Sequence, residues 1–186
     1  MELAEWPALA GRGIRLRAFA ERDMPLVVEA GRDPLIPLIT TVPPAAGLPE
    51  AAEWIERQHR RYRDGAGFSF CIARAVDDEA LGQIGLWPRQ PDPGRAAIGY
   101  WVGRPYRGAG VITAALDVLT RWAVTLPGLA RLELYVEPWN EGSWRAAERV
   151  GFVYEGLMRR WEVVGDERRD MFMYSLLTEE VGPRLD

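Results

Sequence analysis

Apolar residues along this chain recur at two spacings, and the alternation between them marks out strands and helices. Residues 13–19 alternate, with Ile14, Leu16 and Ala18 set against Arg15, Arg17 and Phe19, the period of a half-exposed strand. Glu21 to Gly31 reads as a short helix. Glu50 to Arg63 gathers Ala51, Trp54, Ile55 and Tyr62 on or near one stripe, with charges elsewhere, which predicts an amphipathic helix. Between these helices, Asp33 to Pro49 carries Pro34, Pro37, Pro43, Pro44 and Pro49, a density that predicts a semi-rigid loop without regular structure. Loops of that length inside compact domains are often functional.

The pattern then returns to strands. Gly67 to Val76 and Leu81 to Trp87 flank the acidic turn Asp77-Asp78-Glu79, and a second turn leads into Arg95 to Gly103. Three strands joined by short links predict an antiparallel meander. Val111 to Leu126 places Val111, Ala115, Val118, Leu119, Trp122 and Leu126 at helical spacing, and Pro127-Gly128 stops it. Arg131 to Val136 is a strand, Glu141 to Val150 a helix, and Phe152 to Trp161 and Arg168 to Leu177 are the closing strands. The result is a mixed α/β chain in which a helix crosses between the strands near residues 100 and 132. There is no internal repeat and no low-complexity tract.

Composition narrows the function classes. At 186 residues the chain is long enough for one well-buried core, so a single domain spanning residues 1–186 is expected. A net charge of -4 argues against nucleic acid as a partner and suits amines better. With one cysteine, Cys71, there is no internal disulfide, and with one histidine, His59, a His/Cys metal site has too few ligands. Met1 to Pro7 lacks a basic start followed by an apolar core, and no apolar run approaches a membrane span. The expectation is a cytoplasmic protein with no membrane partner and no metal.

Candidate chemistry begins at Tyr106 to Thr113, Tyr-Arg-Gly-Ala-Gly-Val-Ile-Thr, between a strand and a helix. Glycines there let backbone come close to a ligand, and the helix start offers unpaired N–H groups and a positive dipole end for a pyrophosphate. Arg107 can add direct charge. A plain strand-to-helix turn also explains two glycines. No Lys-Ser/Thr follows, as a nucleoside-triphosphate loop requires, and the dinucleotide fingerprint lacks its third glycine. Further on, a strand ends at Glu137-Pro138-Trp139-Asn140, Ser143 follows in the first turn of the next helix, Gly151-Phe152 ends that helix, and Glu155-Gly156 comes four residues later.

The ordered set Gly-Tyr-Trp (99–101), Arg-Gly-x-Gly (107–110), Asn-x-x-Ser (140–143) and Gly-Phe (151–152) resembles the GCN5-related N-acetyltransferase superfamily, within it the Rim-type ribosomal-protein N-acetyltransferases. The resemblance covers nearly the whole chain and is strongest from Ile98 to Gly156. It implies a mixed, largely antiparallel sheet of about six to seven strands with a splayed pair in its middle, flanked by about four helices. It further implies acetyl-coenzyme A as co-substrate. The pantetheine arm would lie in the wedge beside Ile98 to Gly103, against the backbone of Trp101 and Val102. Amides of Arg107, Gly108, Ala109, Gly110, Val111 and Ile112 would wrap the pyrophosphate. Asn140 would lie near the pantetheine and Ser143 near the sulfur. Members are often dimers, so a homodimer is an expectation of the same kind.

Three positions depart from the family pattern. Ile112 stands where Gly or Ala is preferred, Ala97 where relatives often carry a glutamate, and Ala147 where many carry a tyrosine. The thiolate's proton must then come from Ser143, a water, or a phenol such as Tyr100 or Tyr154. Glu137, Glu133 and Glu141 are the base candidates. Plainer readings stand beside these: Asn140 as the N-cap of its helix, Ser143 as an ordinary first-turn residue, His59 as a solvated surface histidine and Cys71 as buried filler. Trp54, Trp101 and Trp122 are expected in the core, whereas Trp87, Trp139, Trp144 and Trp161 fall near element ends where they can line an acceptor cleft. Presenting a neutral amine at pH 7 costs roughly 1.4 kcal/mol for an α-amine and roughly 4.6 for lysine. A weak base therefore favours an α-amine, on a peptide or a small molecule. Antibiotic or polyamine acetylation, and a non-catalytic acyl-coenzyme A sensor, are the alternatives.

Overall fold

The computed structural model describes residues 6–89, 92 and 94–181. Among them eight strands form one sheet: β1 (Leu9–Gly11), β2 (Ile14–Arg17), β3 (Phe68–Arg74), β4 (Ala80–Pro88), β5 (Arg95–Val102), β6 (Arg131–Val136), β7 (Val153–Val164) and β8 (Glu167–Leu177). The helices are α1 (Met24–Gly31), α2 (Ile36–Ile39), α3 (Leu48–Arg63), α4 (Val111–Ala123) and α5 (Glu141–Val150). The sheet runs β1-β2-β3-β4-β5-β6-β8-β7 and is antiparallel except between β5 and β6.

The count exceeds the six to seven strands and four helices expected, because β1 and α2 span only three and four residues, too few to display a period. The segment expected as an unstructured loop therefore contains one helical turn, and α3 begins at Leu48 rather than Glu50. Proline misled the expectation in both cases. Pro37 and Pro49 sit in the first helical turn, where no intrahelical N–H is needed. The Glu50 carboxylate then accepts the Gly47 N–H at 2.9 Å.

Both faces of the sheet are covered. In β3, Phe68, Phe70 and Ile72 join the core under α4 and α5, while Cys71 and Ala73 turn to α1 and α3. Leu116 and Leu119 of α4 and Ala147 of α5 are fully buried on the first side, and Val27 of α1 and Trp54 of α3 on the second. Cys71 is the inert filler expected, and burial pushes its thiol pKa far up. His59 differs from expectation. Its Nε2–H donates to the Phe19 carbonyl at 2.8 Å and its ring meets Trp6 edge-on, so it is half-buried structure rather than a solvated histidine.

The feature that positions the site is a break in pairing. β5 matches β4 from Ala96↔Pro88 to Val102↔Gly82, yet it pairs with β6 only from Arg95↔Arg131 to Ile98↔Leu134. Beyond that point β6 stays paired with β8 through Val136↔Phe172. Each strand is held from outside while Gly99–Val102 and Tyr135–Val136 diverge, leaving backbone groups without partners across a wedge.

Candidate active site

The turn after β5 closes one end of the wedge. Gly108 and Gly110 have φ of 77° and 76°, and Gly110 is the N-cap of α4 in the left-handed region that favours glycine. An added Cβ at either would meet nothing within 4 Å, so both face open space. No side chain caps α4, and among the described residues nothing accepts from the N–H groups of residues 108–112. Uncapped donors at a positive helix end form an anion site. Val111 is buried and the Ile112 side chain packs against the α4–α5 core, which is where its extra bulk goes. Arg107 is already engaged: its Nη2 donates to Asp33 Oδ2 at 2.7 Å and its Nε to the Val102 carbonyl at 3.0 Å. The same Asp33 accepts from the Leu35 and Ile36 N–H groups at 2.9 and 3.1 Å, at the start of α2. Burial alone would raise the Asp33 pKa, but these bonds outweigh it and hold it low. Arg107 thus clamps the turn to the α1–α2 side. Of the other expected cofactor contacts on β5, Trp101 buries its indole in the α1–α3 core and leaves its backbone on the strand.

The start of α5 forms the other side. The Tyr100 hydroxyl meets Ser143 Oγ at 2.8 Å and also reaches the Ser143 carbonyl at 3.3 Å. Burial pushes the phenol pKa up to about 12 against the opposing effect of the Ser143 bond, so it keeps its proton at neutral pH. Asn140 is the N-cap residue of α5, as the plain reading has it, and its side chain makes no capping bond. Ala147, one turn after Ser143, is fully buried. A phenol is nonetheless present beside Ser143, supplied by β5.

The face opposite α4 and α5 holds a trough. Register sets Trp87, Ala97 and Glu133 side by side on β4, β5 and β6, with Gly85 and Gly99 paired in the next row and Tyr135 beyond the last β5–β6 pair. The Trp87 indole lies across Gly85, where a Cβ would come within 2.3 Å of it, and its Nε1 is 3.5 Å from the Cβ position of Gly99. Trp161 of β7 stacks on Tyr135 at 5.6 Å, and Gly165 in the β7–β8 turn comes against Leu38 of α2. The hairpin therefore reaches across to α2 and lays Trp161 against Tyr135 at the β6 side.

Comparison with known proteins bears on this geometry. Residues 14–153 match the family described as "Acetyltransferase (GNAT) domain". The chain belongs to the GNAT acetyltransferase family. It is 29% identical over 167 residues to "Uncharacterized N-acetyltransferase p20" of Bacillus licheniformis, covering 90% of this chain and 94% of that one. It is 29% identical over 103 residues to "Ribosomal-protein-serine acetyltransferase" of Escherichia coli strain K12, covering 55% of this chain and 58% of the relative. The solved structure of "Mycobacterium smegmatis RimJ in complex with CoA-disulfide" superposes with a TM-score of 0.77 at 25% identity, over 96% of this chain and 89% of that one.

As a GNAT acetyltransferase the chain is an acyltransferase of the Rim-like type, and its acids can be sorted by geometry. Glu133 is fully buried: Oε1 accepts from Arg95 Nε at 2.7 Å and Arg131 Nε at 3.0 Å, and Oε2 from the Tyr135 hydroxyl at 3.0 Å. Glu141 is exposed and pairs with Arg145 at 3.0 Å. Tyr154 lies out on β7 against Phe172 and Tyr174. Glu137, the first residue beyond β6, is half-buried with no side-chain partner among the described residues. Of the three base candidates it is the one without a side-chain partner among the described residues.

Burial alone would raise the Glu133 pKa, yet the bonds from Arg95, Arg131 and Tyr135 outweigh it and hold the carboxyl below its ordinary range. Its contribution to stability is present above the unfolded glutamate pKa, about 4.3, and is lost as pH falls through the lower folded value. Glu133→Gln should cost about 2 kcal/mol at pH 7. Urea unfolding of both proteins checks this, and the two curves should converge below about pH 4.

Sequence reasoning missed Asp33 and Tyr135, and did not single out Arg61, whose guanidinium lies 5.1 Å over the Trp87 ring. Tyr135 carried a signal, since alternation along β6 sets it on the face of Glu133. The Asp33–Arg107 clamp joins residues 74 apart and carried none.

Proposed function

We propose that this chain transfers the acetyl group of acetyl-coenzyme A to the α-amine of a peptide or protein N-terminus, by direct attack of the neutral amine on the thioester. The observation that carries the reading is the break in β5–β6 pairing directly ahead of an uncapped helix start. An extended amide-bearing arm fits the free strand edge, and a pyrophosphate fits the N–H groups of residues 108–112. Two similar proteins support it: one named for a ribosomal-protein serine and one solved with coenzyme A.

In this reading the amine nitrogen bonds to the thioester carbonyl carbon, and N–H groups of the diverging β5 hold the oxyanion. The carbon–sulfur bond then breaks, and the leaving thiolate accepts a hydrogen bond from the Tyr100 hydroxyl, directly or through Ser143, until a solvent proton reaches it. A thiol pKa of about 8.5 against a phenol near 12 makes full transfer uphill, so the phenol acts by hydrogen bonding the developing charge and by relaying a solvent proton. Glu137, directly or through water, receives the amine's proton. Asn140 orients the pantetheine through its uncommitted amide. The chain works as one catalytic domain in the cytoplasm, and no described helix is long and apolar enough to cross a membrane.

The test is thiol release from acetyl-coenzyme A with free N-terminal peptides, N-blocked lysine peptides, polyamines and aminoglycosides. N-terminal peptides should turn over fastest at pH 7. Faster lysine or polyamine acetylation would overturn the choice of acceptor. Tight acetyl-coenzyme A binding without turnover on any amine would point to a sensor instead.

A further inference from the structure

The trough leading into the wedge carries an unbalanced positive charge. Its floor is Ala97 and Gly99 of β5, with the edge of the Trp87 indole 3.5 Å from the Gly99 Cβ position. Trp87 bounds it from β4, and Tyr135 from β6 where that strand begins to diverge from β5. A guanidinium lies over each boundary ring, Arg61 at 5.1 Å from Trp87 and Arg89 at 5.3 Å from Tyr135.

Among the described residues no carboxylate lies within ion-pair distance of Arg61 or of Arg57, one turn earlier on α3. Arg61 donates to the Gln58 side chain at 2.9 Å and Arg57 to the Thr41 carbonyl at 3.4 Å. Both are half-buried, and desolvation followed by repulsion from Arg57 lowers the Arg61 pKa. The nearest carboxylate to Arg89 is Glu133 at 3.8 Å, which already accepts shorter bonds from Arg95 and Arg131. These cations gather on a chain whose net charge is -4, so general basicity does not explain them. A half-buried guanidinium on an aromatic ring without a carboxylate partner, as at Arg61, with Arg57 beside it and Arg89 sharing an already engaged Glu133, creates a site that favours an anion.

We infer that the acceptor is an acidic N-terminus, with its carboxylates read by Arg57, Arg61 and Arg89 while its amine enters the wedge at Gly99. This rests on the N-terminal acetyltransferase reading above. The arrangement is complementary at both ends: the uncommitted Glu137 carboxylate draws the amine, and the arginines draw the side chains that follow it. Cationic acceptors such as polyamines meet repulsion along the same path.

The experiment compares three free N-terminal hexapeptides that share their first residue and continue with acidic, neutral or basic residues. The acidic peptide should exceed the neutral one at least tenfold in kcat/KM, chiefly through KM, and the advantage should shrink as salt rises. In the double variant Arg57→Gln, Arg61→Gln the acidic-to-neutral ratio should fall to about one, whereas Arg61→Lys should keep most of it. Thermal unfolding checks that the variants fold. Equal rates for the three peptides, or a ratio unmoved in the double variant, would overturn the inference and leave N-terminal acetylation standing. Calorimetry with the N-acetylated acidic and basic hexapeptides reads the site without turnover. Tighter binding of the acidic one, lost in the double variant, supports the inference even if every amine fails, and equal binding refutes it.

Discussion

Replacing Gly110 with glutamate should weaken acetyl-coenzyme A binding at least about 100-fold. The proposed pyrophosphate seat consists of N–H groups that nothing among the described residues accepts from, at the positive end of α4. Charge-assisted bonds of this kind contribute about 1.5–3 kcal/mol each, and losing two of them corresponds to two to four powers of ten in affinity. The glutamate places a like charge there and forces a side chain into the left-handed region at φ 76°. Gly110→Asn separates these effects, because asparagine tolerates that region and carries no charge. Isothermal titration should find the Asn variant within about tenfold of the parent by the same arithmetic, with both variants folded by circular dichroism. A folded Glu variant that binds like the parent would remove the cofactor from this turn.

Tyr100→Phe should lower kcat about 100-fold, roughly 2.7 kcal/mol of barrier, with little change in the KM for acetyl-coenzyme A. The phenol meets Ser143 at 2.8 Å, and its raised pKa of about 12 keeps it protonated wherever the enzyme works. Ser143→Ala should cost less alone, since Tyr100 can reach the sulfur directly. The double variant should resemble Tyr100→Phe, because two residues sharing one proton do not act additively. Steady-state and single-turnover rates on one N-terminal peptide distinguish chemistry from product release. A fully active Tyr100→Phe enzyme would assign the proton to another donor.

Much of the frame was legible because it is local. Arg131–Val136 and Glu141–Val150 were read at their observed bounds, since a period of two and a helical stripe are each set by neighbouring residues. The turn at Gly108 and Gly110 was legible for the same reason: two left-handed positions before a helix call for glycine wherever the chain folds. The order of Gly99-Tyr100-Trp101, Arg107 to Gly110, Asn140, Ser143 and Gly151-Phe152 along the chain points to the family that residues 14–153 match.

What the turn's arginine does, which hydroxyls meet, and which acid stays free were decided by tertiary structure. The sequence shows that Arg107 can add charge at the turn, and its partner Asp33 lies beside it only after α1 packs against the sheet. Tyr100 and Ser143 are 43 residues apart and meet because α5 returns over the end of β5. Glu133 and Glu137 look alike in sequence. Strand register buries the first under Arg95 and Arg131 and leaves the second open. Backbone conformation and amphipathic pattern depend on neighbours a few residues away, and the chain encodes them directly. Charge pairing, pKa and the arginine-lined trough depend on distances that exist only once β4, β5 and β6 lie side by side.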